Sequence, residues 1–490
     1  MKIRENTPFL FRNRILASFI LALLVILVYA NALSSEFVWD DQTIVVRNEA
    51  IRSFDNIPYV FSNEFCEKVS YNGNIYRPTQ EFSYMADYFL WALEPFGFHL
   101  TSVLFHAAAV IALFYLVWGI SRSGMVSFAA SALFAVHPLN TEAVAYISGR
   151  SDSICFLFVA LSFLFYLKSE NKKYLSPALI FSWIFYILAL LSRETAVIFP
   201  LLLIAYDAFA KKERRIEWNR IIPFFAILAL YAFLRLKLIE LNPARIQRFG
   251  AGTIILTDIK ILSEYLKIIF FPFGLHMTRY MAFSDTIDPA VITAGIFLLP
   301  VMALFIWLYR KREIFFWVLW LVIFILPHLN LVRLNALYAE HWIYASAIGI
   351  YAIFGYFLKF LWGKRGTPRI ASYAILAGAI LYFGSLTVIR NFDWKDEPSI
   401  YLNTLKYSKS PKVMSNLGVY YDIRGEYDRA IAVYETALAA APNTPLYHNN
   451  IAIVYMKKGN TDKALFHWKK SLSINPAQPE VKKYIARYGG

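Results

Sequence analysis

The chain has 490 residues, of which 58% are hydrophobic and 17% charged. Soluble domains carry roughly 25% charged residues, so this composition excludes an ordinary water-soluble core and makes the bilayer the solvent for most of the chain. The net charge of +15 sits in short basic clusters between apolar runs, which is how topology signals are distributed; no nucleic-acid motif accompanies it, and no nucleic-acid partner is expected.

The N-terminus brings Lys2, Arg4, Arg12 and Arg14, then an apolar run from Ile15 to Ala30. Ala30-Asn31-Ala32 loosely fits a signal-peptidase site, but the tryptophan and acids beyond it fit the first outside loop of a retained helix, so an uncleaved first span is expected. Stretches approaching the length of a span, about 17–25 residues, fall near 14–33, 98–118, 124–141, 152–168, 175–192, 195–210, 219–239, 290–309, 313–330, 341–362 and 371–389, eleven in all. With a cytoplasmic N-terminus the inside loops hold Arg122; Lys168, Lys172 and Lys173; Lys211, Lys212, Arg214 and Arg215; Arg310, Lys311 and Arg312; and Lys364, Arg365 and Arg369. Each is short and basic, the positive-inside pattern, which supports even the short stretches at 124–141 and 195–210. Eleven spans leave the C-terminal end outside the cytoplasm. Ile259–Pro272 is apolar but short and interrupted by Lys260, Glu264 and Lys267; it reads as an interfacial or re-entrant helix. Two outside loops are long, 34–97 and 240–289, and long loops are where function concentrates. The two cysteines, Cys66 and Cys155, are too few for a disulfide framework, and no bridge between them is expected.

The membrane domain thus covers 1–390, and 391–490 has a different character. Asn416, Gly425, Ala430 and Pro442 recur 34 residues later as Asn450, Gly459, Ala464 and Pro476. That is the tetratricopeptide period. The small Gly418/Ala452 and Ala430/Ala464 positions let paired helices approach, Gly425 and Gly459 supply the turns, and Pro442 and Pro476 stop the second helix of each pair. The repeats run about 412–445 and 446–479, with a capping helix at Val481–Tyr488 and an extension of the stack over 391–412. The fold class is therefore all-α: a polytopic helical bundle followed by a short α-solenoid. Such a solenoid offers a concave face to a protein partner, or acts as a spacer.

Polar groups cluster at the span ends that this topology places outside. Asp40 and Asp41 follow Phe37-Val38-Trp39. A carboxylate in a partly desolvated cleft gains basicity and suits a general base for an alcohol; the alternative is a solvated acid pair at a helix end. Next come Arg77 in Tyr76-Arg77-Pro78, His99, and His106 inside a span. His137-Pro138 leads to Glu142, and Gly149-Arg150-Ser151-Asp152 opens the fourth span. Arg193-Glu194 and Glu340-His341 complete the set. Ionisable groups at one membrane face suggest a site, although Arg150–Asp152 and Arg193–Glu194 also read as structural pairs, and His99 and His137 as satisfied interfacial histidines. No cluster has zinc-ligand spacing, so no metal is expected, and no P-loop, GxGxxG or GxSxG occurs.

Val38-Trp39-Asp40-Asp41, Tyr76-Arg77-Pro78, Gly97-Phe98-His99-Leu100, His137-Pro138 through Val144, Gly149–Asp152, Glu194, Glu340 through Tyr344 and Arg390 through Glu397 come in an order that resembles the transmembrane-and-tetratricopeptide-repeat family of protein O-mannosyltransferases. The resemblance covers nearly the whole chain. It implies a GT-C glycosyltransferase bundle with a cavity facing outside. The donor would be a polyprenyl-phosphate sugar, a hexose such as mannose, and the acceptor a hydroxyl, in the family a serine or threonine of protein. Asp40 or Asp41 would be the base of an inverting transfer. Arg150, Arg193, His341, Arg279 and Arg333 would hold the leaving phosphate, with Arg77, His99, His137, Glu142, Asp152, Glu194 and Glu340 as further site candidates. No cofactor beyond the lipid-linked donor is implied. The short repeat array points to a bacterial relative in an inner membrane, with the repeats in the periplasm. His341 stands where the family often has arginine. Two rival readings are a non-catalytic scaffold that assembles partners on its repeats and an envelope-glycan ligase or polymerase with a glycan acceptor.

Overall fold

The computed structural model describes residues 9–69, 76–170, 176–213, 215–238, 249–330, 336–364 and 366–489. Among them every regular element is helical. Two compact units emerge: Met1–Leu275 with Met281–Phe392, and Asp393–Gly490 with the short segment His276–Tyr280.

In the first unit each of the eleven apolar stretches contains helix, but their lengths divide them. Among the described residues six helical runs are long and apolar enough to cross a membrane: Arg14–Ser34, Pro95–Ser121, Ile147–Lys168, Trp218–Leu238, Pro289–Leu308 and Thr367–Trp394. Gly124–Val136, Pro177–Leu190, Arg312–Ile325 and Ile348–Trp362 have 13, 14, 14 and 15 residues, or about 20–23 Å at 1.5 Å per residue, short of a core of about 30 Å. The stretch at 195–210 is broken into a 3-10 turn, the helix Phe199–Ala205 and a π-helical turn, Tyr206–Ala210. The cause is local. Pro138 and Pro327 fall where helix gives way to tighter turns, and Pro200 where a 3-10 turn gives way to helix, since proline supplies no N–H and crowds the preceding turn. The polar clusters occupy those turns.

Close packing at the centre is made by small side chains. Every residue of Gly124–Val136 is buried, and a Cβ on Gly355 would stand 2.8 Å from the Val126 carbonyl oxygen. Helices without a hydrophobic drive between them associate through such small contacts. Trp218–Leu238 and Pro289–Leu308 are the opposite case, with 17% of their most apolar windows buried, against 61% for Pro95–Ser121. Exposed Ile296, Leu299 and Ile306 on Pro289–Leu308 make a surface suited to lipid rather than water.

The segment expected to be a short interfacial helix is longer. It runs Ala251–Phe270 and buries Asp258, Ile261, Tyr265, Leu266, Ile268 and Ile269, a stripe at three- and four-residue spacing. Its charged residues Lys260, Glu264 and Lys267 lie off that stripe, which is why a search for an unbroken apolar run truncates it. Cys66 and Cys155 are both buried and are not bridged to each other.

In the second unit the helices are Glu397–Tyr407, Pro411–Ile423, Tyr427–Ala440, Pro445–Lys457, Thr461–Ile474 and Pro479–Tyr488. Gly425 and Gly459 turn the chain at φ 75° and 79°, a region costly for residues with a Cβ. A Cβ at Gly418 would come within 2.7 Å of the Tyr434 ring, so the glycine sets the spacing of the first pair. Pro479–Tyr488 packs on the preceding pair by stacking Tyr484 on Trp468, ring centroids 5.1 Å apart. The His276 ring lies on Tyr407 at 5.3 Å, and Arg279, in the same short segment, is buried.

Candidate functional site

The two tandem acids take different positions. After the first membrane helix the chain makes a tight turn in which Trp39 has φ 53°, a conformation that costs a residue with a side chain about 1–3 kcal/mol. Asp41 stabilises the turn. It is fully buried; one carboxylate oxygen accepts the Val38 N–H at 3.1 Å, and the other accepts the Ser148 N–H at 2.8 Å and the Ser148 hydroxyl. Burial pushes its carboxyl up to about 7 against the pull of these three donors. Asp40 is on the exposed side of the turn, with its N–H donated to the Tyr146 hydroxyl at 3.2 Å. The tight turn thus separates a buried latch, Asp41, from an exposed carboxylate, Asp40.

The turn that receives Asp41 is itself over-determined. Gln80 and Tyr84 donate to the carbonyls of Ser148 and Ile147 at 2.9 Å each. Arg150 is completely buried. It donates to Asp87 at 2.5 Å, to the Ser102 hydroxyl at 2.9 Å, to Ser83 at 3.1 Å and to the Phe98 carbonyl at 2.5 Å, over the Tyr84 ring at 4.9 Å. The leading sequence candidate for holding a phosphate is therefore committed to an internal network. Its acid is Asp87, not Asp152.

The same segment continues into a cluster of cations. Ser151 meets Arg77 at 3.4 Å and Arg193 at 3.3 Å. Arg193, nearly buried, pairs with Asp152 rather than with its neighbour Glu194. Glu194 instead lies between Arg77 at 3.2 Å and Arg235 at 2.8 Å. Burial opposes its charge, but the two guanidiniums hold its carboxyl well below the usual carboxylate range. Arg235 was not among the sequence candidates. It sits at the end of Trp218–Leu238 beside Lys237, where a basic pair reads as a helix-end anchor, and nothing in linear order links it to Arg77.

A third grouping joins Glu142 to His341. The His341 N–H and Nδ1 meet the two Glu142 oxygens at 3.2 and 2.5 Å. Burial raises Glu142, yet His341 and the Arg390 charge bring it below its ordinary value. Glu340 is buried and faces Arg390 at 3.4 Å. Beside this grouping is a small cavity lined by Asp152, Thr195, His328, His341, Trp342 and Tyr344, and the His328 ring lies flat on Trp342 at 4.9 Å.

The remaining candidates stand apart. His137 is buried with Nε2 on the Ile269 carbonyl at 2.9 Å and Nδ1 accepting from Leu139 N–H at 3.3 Å, which fixes it as a neutral link to Ala251–Phe270. His99 is buried, and His106 bonds Tyr344 at 2.7 Å. Arg279 belongs to the second unit, and Arg333 lies outside the described residues. Among the described residues no three His, Cys, Asp or Glu side chains gather as metal ligands.

These features define a polytopic helical membrane protein that carries tetratricopeptide repeats after its membrane helices. A model described as TPR repeat matches residues 418–459, and one described as tetratricopeptide repeat matches 445–478. The chain resembles proteins named protein O-mannosyl-transferase. A Caenorhabditis elegans member is 28% identical over 247 residues, 49% of this chain and 34% of that one. Mouse TMTC1 is 31% identical over 203 residues, 39% of this chain and 22% of that one, and human TMTC3 is 23% identical over 512 aligned positions, 94% of this chain and 55% of that one. The matches thus span between about a fifth and just over half of these relatives' lengths. Among solved structures, an Archaeoglobus fulgidus oligosaccharyltransferase superposes with a TM-score of 0.47 at 12% identity, covering 86% of this chain and 59% of that one.

Proposed function

We propose that the chain is a membrane glycosyltransferase that moves a sugar, a hexose such as mannose, from a polyprenyl-phosphate donor to a hydroxyl, a serine or threonine of a protein, on the non-cytoplasmic face. The observation that carries this reading is the Ile147–Asp152 segment. Through Ser148 it fixes the turn that presents Asp40, and one helical turn later, through Ser151 and Asp152, it meets the arginine cluster. A carboxylate base next to cations is what displacement of a phosphate by an alcohol requires. Asp40 takes the acceptor's proton as its oxygen bonds to the anomeric carbon. The bond from that carbon to the phosphate oxygen breaks, polyprenyl phosphate leaves with the electron pair, and the anomeric configuration inverts. The donor carries its own activated bond, and the arginines balance the charge that forms, so the reaction calls for no resident cofactor. The resemblance to proteins named O-mannosyl-transferases supports the same class. In this account the repeats hold the acceptor protein or a partner, and the membrane is a bacterial inner membrane with the repeats in the periplasm.

The test is transfer of labelled hexose from a polyprenyl phosphate in membranes containing the protein. Label in protein supports the reading; label in a cell-envelope glycan favours a glycan ligase or polymerase. No transfer from any of several donors favours a scaffold, the reading that the repeats alone would support.

A further inference from the structure

We propose that Arg77 and Arg235, held apart by Glu194, form an anion-binding fork that takes the phosphate ester of a lipid-linked ligand. This rests on the glycosyltransferase reading for the ligand's identity, but its geometry stands on its own. The cations ranked first from the sequence are internally committed, with Arg150 side-chain exposure at 0% and Arg193 at 7%. Arg77 and Arg235 remain 18% and 22% exposed, with Glu194 between them at 32%. Each reaches one Glu194 oxygen with one terminal nitrogen, while the other terminal nitrogen meets the Ser151 hydroxyl at 3.4 Å on Arg77 and the Tyr231 hydroxyl at 2.9 Å on Arg235, and Arg77 Nε is buried with no protein partner. Arg77, Arg193 and Arg235 against Asp152 and Glu194 leave one positive charge in the cluster, and a phosphodiester carries one negative charge. Planar guanidiniums suit the tetrahedral oxygens of phosphate. The two arginines enter from the first outside loop and from the end of a lipid-facing helix. That arrangement fits an ester whose tail lies in the bilayer better than a soluble phosphate.

The experiment measures equilibrium binding, by tryptophan fluorescence in nanodiscs, of a short isoprenyl phosphate, an isoprenyl phosphohexose, an isoprenyl diphosphate, hexose 1-phosphate and inorganic phosphate. Arg77→Gln and Arg235→Gln are each expected to weaken the isoprenyl monophosphates at least tenfold at unchanged melting temperature, and Arg235→Lys to recover part of the loss. Glu194→Gln, which adds one net positive charge, is expected to shift preference toward the diphosphate. Comparable binding of hexose 1-phosphate or inorganic phosphate by the wild type would overturn the lipid assignment. If Arg77→Gln fails to fold, Arg235→Gln carries the comparison. Full isoprenyl phosphate affinity in the arginine variants, or none in the wild type, would overturn the fork. Wild-type sugar transfer alongside unaltered variant affinity would reject the fork and leave the transferase reading; loss of binding in the variants without wild-type transfer would keep the fork and reject that reading.

Discussion

Asp41 and Arg150 both take ionisable side chains out of water, and each does so with a full set of partners. Truncating one member of such a pair strands the other. Arg150→Ala leaves the Asp87 carboxylate buried, at about 3–5 kcal/mol, so the expected result is a large fall in melting temperature or expression, seen in a thermal shift assay. The alternative outcome, a stable protein with only donor affinity lost, would return Arg150 to the ligand. Asp41 makes a pH prediction. Its folded carboxyl titrates near 7, against about 3.9 in an unfolded chain. Between those values the folded state binds the extra proton, so stability falls as pH rises from about 4 to about 7 and levels off above it. The fall is at most about 1.4 kcal/mol for each pH unit crossed. Asp41→Asn cannot ionise. Melting curves from pH 4.5 to 7.5 should therefore show a smaller stability loss with rising pH in the variant than in the wild type; parallel slopes would contradict the burial argument.

At the scale of elements, the site exists because several helices stop early. Gly124–Val136, Pro177–Leu190 and Arg312–Ile325 end before His137, Arg193 and His328, and the turns that follow carry the polar groups. The proline positions were readable in the sequence, but the consequence, helices of 13–14 residues, was not. Hydropathy does not separate a helix from an apolar turn packed inside a bundle. The repeat helices follow local rules that are easier to read, since a glycine turn and small residues at fixed spacing suffice. Gly425→Ala should destabilise the repeat unit by about 1–2 kcal/mol, because alanine is strained at φ 75°. Gly418→Leu should cost more by driving a side chain into Tyr434. Urea unfolding monitored at Trp468 would rank the two, and the reverse order would contradict the packing account.

For the whole molecule, the sequence made the membrane class, the helical fold and the repeats legible, because composition and period are properties of the linear chain. It named several of the segments that the structure brings together without stating who pairs with whom. Arg150 with Asp152 and Arg193 with Glu194 are near in sequence, whereas the structure pairs Arg150 with Asp87 and Glu194 with Arg235. Partner choice across 41 to 117 residues, as between Arg193 and Asp152 or Arg77 and Glu194, is set by helix packing and leaves no local mark. Orientation gives a further prediction. Both native cysteines are buried, so single cysteines at exposed Glu49 and Lys212 report the two faces. Glu49→Cys should react with an impermeant maleimide from outside, and Lys212→Cys only after permeabilisation; the reverse pattern would invert the topology.

The central claim is that Asp40 is the base and Asp41 its support. The direct measurement is labelled hexose transfer from a polyprenyl phosphate in membranes containing wild type, Asp40→Asn or Asp41→Asn at matched expression. The account predicts at least a hundredfold loss for Asp40→Asn with an unchanged melting curve, and a partial loss with altered stability for Asp41→Asn. Full activity in Asp40→Asn, with activity abolished in a stably folded Asp41→Asn, would contradict it.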